Sequence, residues 1–73
     1  MRLYDAEVKQ KLYVVQILDK VLSQRLKDFG FSNRAKIEIF SKTKEMFLVK
    51  INNSLFAVNE SLAKLILVKI DIS

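Results

Sequence analysis

Seventy-three residues, thirteen of them basic and eight acidic, carry a formal charge of +5. With no Cys and no His, the chain builds no disulfide and none of the usual zinc, copper or haem sites. An apolar share of 51% suffices for one small core and argues against disorder.

Residues 1–11 are mixed, with Leu3 and Ala6 as the inward candidates. Residues 12–18 are rich in β-branched and aromatic types and read as the first strand. Apolar residues on both parities predict a strand covered on both sides. A helix follows over about 20–29. Asp19 is placed to cap its first turn, and Leu22, Leu26 and Phe29 share one face. Gly30, the only glycine, sits where a left-handed C-terminal cap needs one, and Phe31 folds back on the last turn. We expect this helix to lie as a lid on a sheet, so that Leu26→Ala costs about 2–5 kcal/mol.

Ser32-Asn33-Arg34 is a turn. Ile37 and Ile39 then alternate with Lys36 and Glu38 as a half-buried strand. Ser41 to Glu45 reads as a polar hairpin loop, and Phe47, Val49 and Ile51 as the inner face of the next strand. Asn52-Asn53 suits a tight turn, because Asn tolerates positive φ. Ser54 to Val58 is a short strand. Asn59 caps a helical turn over about 60–64, and a last strand runs from Leu65 to Ile72, with Ile66, Val68, Ile70 and Ile72 on one face. The fold class is mainly β: about five strands in a small SH3-like barrel, with one inserted helix, forming one domain over 1–73. Closure removes free strand edges, and the short links favour this barrel over the OB-fold.

Catalysis needs convergent groups, and none are apparent: no His, no Cys, no Gly-rich phosphate loop and no paired carboxylates. Asp5 and Glu7 are too few ligands for a tight Ca²⁺ or Mg²⁺ site. We therefore expect no enzyme, no cofactor and no metal site. The positive charge favours acidic partners, although ten of the thirteen basic residues are lysines scattered along the chain, as on many solvated strand faces. A nucleic-acid-binding barrel is the alternative reading, with Tyr4, Tyr13, Phe40 and Phe47 near Lys11, Lys42 and Lys44. Several of those aromatics suit a core better. Arg25, beside Leu26, is placed to pair with Asp28 or to bond backbone carbonyls. Phe40, Leu48 and Leu67 fall on the outward parity. Either the helix covers them, or they form an apolar patch for a protein partner or a homo-oligomer. No apolar run is long enough to span a bilayer, and Met1 to Glu7 lacks the apolar core of a signal peptide, so a cytoplasmic location is expected.

In this order the residues resemble a family. Arg25-Leu26-x-x-Phe29-Gly30-Phe31 is similar to the arginine-leucine-x-x-leucine-glycine-leucine signature of the FeoA family, ferrous iron transport protein A. Leu3 and Asp5 resemble its opening segment, and Val14 and Ile17 stand where its first strand has branched residues. Phe56-Ala57-Val58 resembles its isoleucine-alanine-leucine strand, and Ala63, Ile66 and Val68 match its closing alanine, isoleucine and valine. Three positions depart. Val8-Lys9 stands where the family has a proline-glycine turn, Arg34 or Ala35 where it often has glycine, and Asn59 where it often has arginine.

The resemblance implies an SH3-like barrel acting in the cytoplasm with FeoB, a membrane iron transporter that carries a cytosolic GTP-binding domain. The role implied is accessory or regulatory, exercised through contact at the inner face of the membrane. The same barrel also occurs as the C-terminal domain of DtxR-type metal-dependent repressors. The partner-binding candidates are Tyr13 and Arg25, with Lys42 and Lys44 in the polar hairpin. Arg34, in a turn, is the best placed to reach a GTPase as an arginine finger.

Overall fold

The computed structural model describes residues 1–32 and 34–72, so Asn33 of the expected turn lies outside the described residues. A 3-10 turn at Leu3–Asp5 precedes β1 (Lys11–Ile17), α1 (Lys20–Lys27), β2 (Lys36–Lys42), β3 (Met46–Ile51), β4 (Ser54–Asn59), α2 (Glu60–Ala63) and β5 (Ile66–Ile70). The strands form one antiparallel sheet in the order β4-β3-β2-β1-β5. Alternate residues bury one face around a single core that includes Leu12, Val14, Ile37, Ile39, Phe47, Val49, Ile66 and Val68. The sheet curls into an SH3-like barrel whose two edge strands, β4 and β5, are joined through α2 rather than hydrogen-bonded to each other.

Two bulges curl the sheet, and both revise the reading of the sequence. The first lies between Val14 and Gln16. It shifts the inward parity from Leu12 and Val14 to Ile17 and leaves Val15 and Gln16 exposed. The apolar residues of both parities therefore record a bulge, and β1 is not covered on both sides. The second lies between Ile39 and Ser41. It leaves Phe40 57% exposed, so the helix does not cover it. It also lets Ser41 and Lys42 pair with Leu48 and Phe47, so the hairpin loop shrinks to residues 43–45. There the Thr43 hydroxyl accepts the N–H groups of Glu45 (3.3 Å) and Met46 (3.1 Å).

Asp19 caps α1 as its position suggests, accepting from the N–H groups of Val21 (2.9 Å) and Leu22 (3.1 Å). Gly30 has φ +97. Around it the Phe31 N–H donates to the Leu26 carbonyl (3.0 Å) and the Gly30 N–H to the Lys27 carbonyl (3.1 Å), the paired bonds of a Schellman cap. The lid is shallower than expected. No residue of α1 is fully buried, Leu22 and Leu26 are half-buried, and Phe29, past the helix end at Lys27, is 55% exposed. The deep anchor is Phe31, 1% exposed, whose ring meets Phe56 edge-on at 5.9 Å.

Asn52 and Asn53 take φ +51 and +76, as a two-residue hairpin turn requires. Asn59 caps α2 by accepting the Leu62 N–H at 2.8 Å. The last strand stops at Ile70, opposite Leu12, where β1 offers no further core-facing partner. Ile70, at the end of the strand, is 49% exposed although it pairs with buried Leu12, and Ile72, past the end, is 93% exposed. Lys9 and Arg34 hold φ +70 and +68, a left-handed backbone without glycine.

Candidate functional site

The register builds a basic cleft on the outer face of the sheet. Tyr13 of β1 stands directly opposite Lys36 of β2 and Lys69 of β5. Arg34 is fixed beside them, because its N–H donates to the Val14 carbonyl at 2.6 Å and the Val14 N–H returns to the Ala35 carbonyl at 2.9 Å. Tyr13, Val14, Val15, Arg34, Lys36, Lys69, Ile70, Asp71 and Ile72 line an open cleft of about 900 Å³. Within it Lys36 Nζ pairs with Asp71 Oδ2 at 3.9 Å. The lysine of that pair is well exposed, so the pair contributes little. Among the described residues Arg34 and Lys69 pair with no acid. A smaller hollow of about 310 Å³ shares Lys36 and Asp71 and extends the basic strip to Lys11 and Lys50.

The structure brings two of the expected contact residues, Tyr13 and Arg34, into this cleft and disperses the other three. Arg25 is exposed on α1 and, among the described residues, forms no ion pair, so the expected pairing with Asp28 is not made. Lys44 is exposed at the hairpin tip. Lys42 is engaged inside the molecule. Its Nζ donates to the Ala6 carbonyl at 2.7 Å, lies 4.0 Å from Glu7 Oε2 and 5.7 Å from the centre of the Phe47 ring. Lys36, Lys69 and Ile70 were missed in the sequence. Their signal is cross-strand register, which alternation within one strand does not reveal.

Chemically, the cleft offers cations, one phenol and apolar walls, which suits binding an anionic group. Asp5 is held by Arg2 at 3.3 Å. Among the described residues no group of three or more His, Cys, Asp or Glu side chains converges to hold a metal ion. The fold and this surface define a small SH3-like barrel domain with a basic cleft. The FeoA domain model matches residues 1–70, and the chain belongs to the FeoA domain family.

Among curated proteins none matches the chain. Solved structures give the same fold at low identity. The FeoA protein of Chlorobium tepidum superposes with a TM-score of 0.87 at 22% identity, over 96% of this chain and 70% of that one. Stenotrophomonas maltophilia FeoA, solved with zinc, gives 0.83 at 24% identity over 94% and 89%. That protein is described as a prokaryotic SH3 domain protein and a candidate activating factor for bacterial ferrous iron transport. A manganese-dependent transcriptional repressor gives 0.84 at 16% identity over 96% of this chain and 36% of its own.

Proposed function

We propose that this protein is an accessory and regulator of bacterial ferrous-iron uptake that works by binding an FeoB-type membrane transporter. It acts from the cytoplasm, reaches the inner face of the membrane through that partner, and is itself neither an enzyme nor an iron carrier. The observation that carries this reading is the FeoA domain match over residues 1–70. The basic cleft supports it, because a surface built to hold anionic groups suits a binding partner better than a catalyst. No helix among the described residues is long and apolar enough to cross a membrane. The contact surface is the cleft with Tyr13 and Arg34, and Arg25, Lys42 and Lys44 stand outside its lining.

The test is binding of the purified chain to purified FeoB in lipid nanodiscs, measured by biolayer interferometry with a nucleotide series. Saturable binding is the expected result. No binding in any nucleotide state, with ferrous uptake unchanged when the gene is deleted, overturns the reading. One observation favours a nucleic-acid-binding barrel as a second reading: the Tyr13 ring stands between two lysines. That reading requires affinity for a single-stranded oligonucleotide that falls steeply with salt, through counterion release.

A further inference from the structure

We infer that the cleft around Tyr13 is a docking groove for an extended acidic segment of a partner protein, which Arg34, Lys36 and Lys69 hold by its carboxylates and the free edge of β5 holds by its backbone. If the protein acts on a transporter as proposed above, the segment belongs to that transporter's cytosolic part. The chemistry of the groove does not depend on that source.

Three observations meet here. The first is charge. Lys36 and Lys69 flank one ring from both neighbouring strands. Among the described residues Arg34 and Lys69 have no acidic partner, and Lys36 has only the long contact to Asp71. Asp71 is the one acid in the lining against Arg34, Lys36 and Lys69, so positive charge is in excess there and an anionic ligand relieves the repulsion among the cations.

The second is Arg34 itself. At φ +68 its backbone lies in a region that glycine adopts freely and a side chain occupies at a cost. A guanidinium is thus held in the cleft at the expense of stability, as strained residues at functional sites often are.

The third is the edge. The Asp71 N–H donates to the Lys11 carbonyl at 2.9 Å, so the peptide groups of Val68 and Ile70, offset from it by odd steps, face away from β1. The Val68 N–H is already taken, by the Met1 carbonyl at 2.7 Å. Ile70 is the next position along that edge. Its outward peptide groups have no backbone partner among the described residues, and it lines the cleft. An incoming strand pairs there by its main chain while its side chains alternate between the cations and the apolar wall of Val15, Ile70 and Ile72.

A peptide fits better than a nucleic acid. Single-stranded nucleic acid needs successive stacking rings along a phosphate track, whereas Tyr13 is the one aromatic in this lining, and Asp71 stands among the cations.

The test is an NMR titration of the ¹⁵N-labelled full chain with a short peptide of alternating Glu and Val. Its counterpart with Lys for Glu and a thymidine oligonucleotide of equal length serve as comparison probes. Shifts are expected on the amides of Tyr13, Lys36, Lys69 and Ile70 with the Glu peptide only. Arg34→Gly relieves the left-handed backbone, so weaker binding is not a sign of unfolding. It is expected to lower affinity by about fivefold, and Lys69→Glu by about tenfold. Lys44→Glu is expected to change it by less than about twofold. Shifts spread over every lysine-bearing face, or an equal loss from Lys44→Glu, mean that net charge alone binds the peptide and overturn the groove. Oligonucleotide binding at these amides without peptide binding overturns it in favour of nucleic acid. Peptide binding in the cleft with no binding of FeoB keeps the groove and removes the transporter reading. FeoB binding that survives both cleft substitutions, with no peptide bound, does the reverse.

Discussion

The Nζ of Lys42 donates a 2.7 Å hydrogen bond to the carbonyl oxygen of Ala6, which pins the end of β2 to the segment leading into β1. The bond is partly shielded, since the lysine side chain is 27% exposed and its ammonium stands 5.7 Å from the centre of the Phe47 ring. Removing the ammonium leaves a carbonyl short of its partner. Lys42→Met is therefore expected to cost about 1–2 kcal/mol in urea denaturation. Lys44→Met, at the exposed hairpin tip, is expected to stay within about 0.5 kcal/mol. Equal costs would mean that the Ala6 bond contributes nothing measurable.

Gly30 is constrained twice. Its φ of +97 lies beyond what L side chains adopt readily, and a Cβ there would stand 3.1 Å from Ile51 Cγ2. Neither problem relaxes easily, because Ile51 is buried in the core. Gly30→Ala is expected to destabilise by about 1–3 kcal/mol by chemical denaturation. An unchanged midpoint would contradict the cap geometry.

Leu26 and Phe31 divide the anchoring of the helical segment unequally. Leu26 is half-buried, whereas Phe31 is enclosed and meets Phe56 edge-on. Phe31→Ala is expected to cost about 3–5 kcal/mol. Leu26→Ala, on the surface of the lid, removes less buried area and is expected to cost about 1–2 kcal/mol. A larger loss at Leu26 would restore the deeply packed helix expected from the sequence.

The ends of α1 were legible in the sequence because they are local. One carboxylate caps the start and one glycine marks the stop, and each acts within a few residues. The inward faces of β2 and β3 were legible for the same reason, as alternation is local too. The bulges at Val14 to Gln16 and Ile39 to Ser41 were not, because a bulge is a relation between two strands. The candidate site followed the same division. Tyr13 and Arg34 stand out by residue type and turn position, but Lys36 and Lys69 join them only through cross-strand register.

Lys9 and Arg34 offer a test in the opposite direction, a gain in stability. Both hold left-handed backbone, at φ +70 and +68. Both are fixed there by their own N–H groups, Lys9 to the Ile39 carbonyl at 2.8 Å and Arg34 to the Val14 carbonyl at 2.6 Å. The left-handed region costs a side chain about 1–2 kcal/mol relative to glycine. Glycine in turn gives back about 0.4–1 kcal/mol through the greater freedom of the unfolded chain. The difference favours glycine, and Lys9→Gly and Arg34→Gly are each expected to stabilise by about 0.5 kcal/mol in urea denaturation. Asn52→Gly is expected to gain less, because Asn already tolerates this region. A loss of stability at Arg34 would mean that its side chain makes a contact that holds the fold, and would assign the residue to the barrel rather than to the cleft.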